Sequence, residues 1–168
     1  GTNGRGVLRT QDGGRSWEFV NAGLPADAKI TALAISPRYG QIGYPRTVFA
    51  AVYGSGVFVT KNDGLNWVST GSLQPIGNAY VNALAIHPDY PSTDVPSLYA
   101  GCQGDASAGT QYTFFYYYDS LEEWMSPGST QATITTLAAA KAPTETHLYA
   151  GSAVGGVFLS TDHGSTWT

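Results

Sequence analysis

Three segments of the chain repeat one another: Ile30–Ser36 (ITALAIS), Val81–His87 (VNALAIH) and Ile134–Ala140 (ITTLAAA), with starts 51 and 53 residues apart. A fixed period constrains a fold more than any local propensity, because each unit must form the same structure and stack on its neighbours. A second series follows the first, Thr47–Tyr53, Ser97–Gln103 and His147–Ala153, and a third is Gly6–Thr10, Gly56–Thr60 and Gly156–Ser160. Each run is short, rich in β-branched or aromatic residues and bounded by Gly, Pro, Asn or Asp, which is the pattern of strands. No apolar period of 3.6 residues lasts long enough for a helix.

Four short strands per roughly 50 residues, returning with the same turn at the same place, is the period of a β-propeller blade. The expected fold is therefore all-β, with blades of four antiparallel strands. Strands are predicted near 30–36, 47–53, 56–61, 81–87, 97–103, 134–140, 147–152 and 156–160. The predicted units are a half-blade over 1–28, blades over 29–79 and 80–132, and an incomplete blade over 133–168, about three and a half in all. The missing blades are expected either from a longer chain or from identical chains pairing in trans. Two copies would then make a seven-bladed ring, and head-to-tail addition a filament.

A polar turn joins the third strand of each unit to a Trp. It reads Thr10-x-Asp12-x-Gly14-x-x-Trp17 and Ser160-x-Asp162-x-Gly164-x-x-Trp167, with Asn62 at the acidic position of Thr60-x-Asn62-x-Gly64-x-x-Trp67. Counting back from Trp124 gives a fourth, decayed copy, with Tyr117 at the hydroxyl position, Asp119 at the acidic one and Leu121 in place of Gly. The residue types follow from the turn. A short carboxylate accepts nearby backbone N–H bonds, Gly takes a conformation other residues resist, and the Trp plugs the base with an indole N–H that needs an acceptor. Trp17, Trp67 and Trp167 are expected at equivalent, largely buried sites.

This motif resembles the Asp-box, or bacterial-neuraminidase repeat, of sialidase-like, sortilin-type, xyloglucanase-like and photosystem-assembly propellers. The resemblance covers nearly the whole chain and implies a structural rim position for the turn, away from any central site. Sialidases carry an Arg-Ile-Pro near their start, and this chain has only Pro45-Arg46. Because the motif marks the blade more than its use, two readings stay open. One is a non-enzymatic extracellular module for binding, scaffolding or assembly, and the other is a fragment of a glycoside hydrolase.

Composition narrows the partners. Charged residues are only 12%, about half the usual share, and the formal charge is −4 with eight scattered Lys and Arg. Nucleic acid needs a basic footprint that is missing, and no apolar run approaches the ~20 residues of a membrane span. Low charge with abundant Gly and Tyr suits an extracellular setting. Cys102 stands alone and reads as a small buried hydrophobe. His87, His147 and His163 fall at unrelated repeat positions without metal spacing, and neither a metal nor another cofactor is implied.

The unit with the decayed turn is the odd one, with an insertion at Asp105–Gly109 before a run of aromatics. Alternation puts Tyr112, Phe114, Tyr116 and Tyr118 on one face and Phe115 and Tyr117 on the other. The first face is either packing against the next blade or a platform for a glycan, with Tyr112, Tyr116 and Tyr118 as its candidate rings. Asp119, Glu122 and Glu123 form the one tight acidic cluster, and their place on a turn reads as a solvated rim rather than a glycosidase pair.

Overall fold

The computed structural model describes residues 1–71, 73, 80–92, 95–103, 113–126 and 132–168. Among them there is no helix. The described residues form thirteen strands in four antiparallel sheets, in chain order. The first sheet pairs β1 (Leu8–Arg9) with β2 (Glu18–Phe19). The second runs β3 (Ile30–Ile35), β4 (Val48–Val52), β5 (Gly56–Thr60) and β6 (Val68–Ser69). The third runs β7 (Val81–Ile86), β8 (Leu98–Cys102), β9 (Phe114–Tyr118) and β10 (Glu123–Met125). The fourth runs β11 (Ile134–Lys141), β12 (Thr146–Ser152) and β13 (Val157–Ser160).

The cores lie between sheets, not within them. Alternation along each strand decides which neighbour a side chain meets. In β4, Phe49 and Ala51 join Leu84, Leu98, Ala100, Phe115 and Tyr117 of the third sheet. Ala50 and Val52 of the same strand turn the other way, to Val7 and Val20 beside the first sheet. The third sheet repeats the division, with Tyr99 and Phe114 meeting Ile134, Leu148 and Ala150 of the fourth sheet. Strands buried on both faces explain why these segments read as continuous apolar runs.

The first strands β3, β7 and β11 each carry a bulge at the same place, at Thr31, Asn82 and Thr135. A bulge re-aims one side chain; in β3 and β7 it reaches the next sheet, whereas Thr135 of β11 donates to the Gly151 carbonyl of its own sheet at 3.1 Å. The Thr31 hydroxyl donates to the Val81 carbonyl at 2.6 Å, and the Asn82 amide to the Ile134 carbonyl at 3.1 Å. Thus the seams between the second and third sheets and between the third and fourth each have a polar stitch at the start of the first strands and an apolar body beyond it. Close approach is enforced at Gly101, where a Cβ would stand 2.4 Å from the Ile134 side chain.

The tryptophans do not share one environment. Trp67 and Trp124 are 3% and 6% exposed, and each indole donates across a seam, to the Val20 carbonyl at 2.7 Å and the Thr70 hydroxyl at 3.0 Å. Trp167 is half-buried against Phe114, with ring centroids 5.0 Å apart. Trp17, expected to be buried, is 58% exposed. The cause is geometric: the inner tryptophans are covered by the sheet before their own, and no described strand lies on that side of β1 and β2. Replacing Trp67 or Trp124 by Ala should cost about 3–5 kcal/mol, and Trp17→Ala less than about 1 kcal/mol. Urea unfolding of the three variants measures the difference, and equal losses would contradict the seam account.

Candidate functional site

The repeated turn is built alike in three places. In the first copy the Thr10 hydroxyl donates to Asp12 Oδ1 at 2.9 Å and accepts the Gly14 N–H at 2.8 Å. Asp12 then accepts the Ser16 N–H at 2.9 Å and the Ser16 hydroxyl at 2.6 Å. Ser160, Asp162, Gly164 and Thr166 repeat every one of these bonds. Thr60, Asn62, Gly64 and Asn66 repeat three of them; the fourth is lost because Asn62 has an amide NH2 in place of the second carboxylate oxygen and Asn66 has no hydroxyl to donate. The glycine of each turn sits at φ 93, 84 and 88, a left-handed conformation. Gly164 also cannot carry a Cβ, which would fall 2.1 Å from the Phe114 ring.

The Ser16 hydroxyl bond, with the Ser16 N–H and Thr10 behind it, lowers the Asp12 carboxyl to about 2. At Asp162 burial pulls upward, but the bonds from Thr166 and Ser160 outweigh it and hold this carboxyl low as well. In both, oxygens that would serve catalysis or a cation already accept turn bonds.

The decayed copy has no such network among its described bonds. The Asp119 N–H donates to the Ser97 hydroxyl at 3.0 Å, and its carboxylate accepts from the Tyr90 phenol at 3.2 Å and pairs with Lys61 at 2.9 Å. The register still holds, since Tyr117 stands opposite Leu98 as Thr60 does opposite Val48 and Ser160 opposite Leu148. With Tyr at the hydroxyl position and Leu in place of Gly, the Asp has been released to tie two sheets together.

Beside it lies a recess of about 510 Å³, between the outer strands of the second and third sheets. Polar groups of Lys61, Asn62, Asn66, Thr70, Asp119 and Glu122 line it. Of the three platform tyrosines, Tyr116 and Tyr118 are half-buried with ring centroids 5.6 Å apart, and Tyr116 packs into the seam with the fourth sheet. Tyr112 and the insertion at Asp105–Gly109 lie outside the described residues. Cys102 is buried, which pushes its thiol up to about 12. Among the described residues no three His, Cys, Asp or Glu side chains converge to hold a metal ion. Nor is any described helix long and apolar enough to cross a membrane.

No family model matches the chain, and no curated protein matches it in sequence. Solved structures do match in shape. An ancestral GH74 enzyme superposes with a TM-score of 0.64 at 18% identity, over 99% of this chain and 21% of the enzyme. YCF48 bound to a D1 peptide superposes with a TM-score of 0.54 at 17% identity, over 99% of this chain and 47% of that one. The chain therefore spans about a fifth of the first and just under half of the second. At these identities the likeness establishes the fold, a partial β-propeller.

The Asp12 carboxyl should titrate near 2 by NMR. Its folded value lies below the unfolded one, so its stabilisation is complete above about pH 4 and is lost as pH falls towards 2. Asp12→Asn, which imitates the turn at Asn62, should keep the fold and abolish that acid-dependent loss. A carboxyl titrating at 3.8 would show that the turn bonds are absent in solution.

Proposed function

We propose that the chain is a non-enzymatic, extracellular binding and scaffold module built from propeller blades of the Asp-box type. The observation carrying this reading is the fate of seven of its twelve carboxylates. Asp12 and Asp162 are consumed by their turns. Asp63 is held by Arg9 and Arg46, Asp89 by Lys141, Asp119 by Lys61, Glu18 by Arg9 and Glu145 by His147. Hydrolysis of a glycosidic bond needs two carboxyl groups facing each other across an open cleft, about 5–9.5 Å apart. Here these carboxylates stitch strands and sheets.

The ligand surface in this reading is the rim recess with its amides and hydroxyls. Such groups suit a glycan or a peptide main chain, and YCF48, one of the similar structures, is a propeller bound to a peptide. Further blades, from the same polypeptide or from a second copy, complete the ring by packing on the outward faces of the first and last sheets.

A second reading, a fragment of a glycoside hydrolase, is favoured by the likeness to the GH74 enzyme. Glycan and peptide arrays read together with a polysaccharide turnover assay separate the two. Binding without product supports the module, and Asn66→Ala should then weaken it about tenfold. Release of reducing ends by the purified chain would overturn the module in favour of the hydrolase.

A further inference from the structure

Two imidazoles that the repeat keeps apart meet at the seam between the third and fourth sheets. His87 follows β7 and is 1% exposed. His163 sits in the turn after β13, and the two ring centroids are 5.7 Å apart. Both nitrogens of His87 are occupied. Nδ1 accepts the Asp89 N–H at 3.1 Å, which places the ring proton on Nε2, where it donates to the Thr146 hydroxyl of the fourth sheet at 2.8 Å. His163 is held in turn by Tyr99, whose phenol lies 2.8 Å from Nδ1 and whose ring stacks on the imidazole at 10°.

The second sheet shows what His87 replaces. There Ser36 stands at the same position, with its hydroxyl accepting the Arg38 N–H at 3.1 Å. The neighbouring backbone bonds also match, since Ser36 N–H donates to Thr47 and Tyr39 N–H to Ser36, as His87 donates to Ser97 and Tyr90 to His87. The same turn is thus closed by a hydroxyl in one unit and by a neutral imidazole in the next.

We propose that His87 and His163 make the seam between the third and fourth sheets an acid-sensitive joint, while the seam before it, with Ser36, stays closed. An imidazolium at His87 would turn an Nδ1–H against the Asp89 N–H, donor against donor, and break the turn bond. It would also place a buried charge within a polar recess of about 220 Å³ lined by His87, Asp89, Lys141, Glu145, Thr146 and His163. Of the charged groups there, Asp89 attracts the new cation but is already paired with Lys141 at 2.6 Å, and Arg38 draws on the same carboxylate. Lys141 and a protonated His163 repel it, Glu145 is engaged by His147, and Tyr99 offers a neutral phenol. Burial first, and His163 second, lower His87 to about 4. The unfolded chain therefore takes up the proton first, and stability present above about pH 6.5 is lost as pH falls towards 4.

The test is thermal and urea unfolding of the chain from pH 7 to pH 4, with hydrogen exchange read separately at residues 141–149 and 47–60. Wild type should lose roughly a hundredfold in its folding equilibrium constant over that range. Exchange should rise at 141–149 before 47–60, after correction for the intrinsic rate. His87→Ser, copying Ser36, should flatten the dependence, and His163→Asn should reduce it. An NMR titration of the His87 imidazole in the wild-type chain stands whether or not a variant folds. A ring that stays neutral to about pH 4 agrees with the joint, and one that titrates near 6.5 in the folded chain overturns it. Equal pH dependence in wild type and His87→Ser would overturn it too.

Discussion

No sheet in this protein can bury its own apolar surface, and the rest of the structure follows from that. A four-stranded sheet has two faces, and here both are apolar. Phe49 and Ala51 on one side of β4 need a different neighbour from Ala50 and Val52 on the other. The solution is a row of sheets in which every core is shared by two units. Each seam then needs a small residue where backbones approach, such as Gly101 against Ile134, and a large one where they diverge, such as Trp67 or Trp124. A free face is exposed for the same reason. Leu33 and Ile35 of β3 remain 38% and 59% exposed, although their counterparts in β7, Leu84 and Ile86, are packed against the second sheet.

Two devices that coincide in the sequence prove separable. The hydroxyl–carboxylate–glycine network closes the hairpin between third and fourth strands, and the tryptophan anchors that hairpin to the sheet before it. In the third sheet the network has gone, yet Trp124 is buried and bonded across the seam as Trp67 is. Asp119, freed from its turn, pairs with Lys61 of the second sheet. Loss of the local device has been offset by a cross-sheet ion pair, worth less than about 1 kcal/mol for groups this exposed.

Much of this was legible because a repeat exposes its own rules. The aligned segments placed β3, β7 and β11 to within a residue or two, and alternation put Phe114 and Tyr116 opposite in sense to Phe115 and Tyr117. What was not legible lies between units. Trp17 reads like Trp67 in sequence, but its burial depends on the sheet behind it. His87 and His163 occupy different positions of the repeat, 76 residues apart in a chain of 168. They meet only because the end of a first strand faces the turn of the next sheet. The one hint was local: His87 precedes Pro88 where Ser36 precedes Pro37, so an acceptor was needed at that position. For the rim recess, no motif marks the lining residues, since Asn66, Ser69 and Thr70 are ordinary strand and turn types brought together by packing.

The claim that seams, rather than single blades, hold the fold is tested most directly by a double-mutant cycle across one of them. Trp124 and Thr70 are 54 residues apart, on different sheets, and joined by one 3.0 Å hydrogen bond. Trp124→Phe, Thr70→Val and the double variant, compared by urea unfolding, isolate that bond from the packing around it. The account predicts a coupling of about 1 kcal/mol, because Thr70→Val leaves the buried Trp124 N–H unmatched and Trp124→Phe relieves it, while the Thr70 hydroxyl of the Trp124→Phe variant keeps its bond to the Val57 carbonyl. Strictly additive losses would show that the two sheets fold without reference to each other.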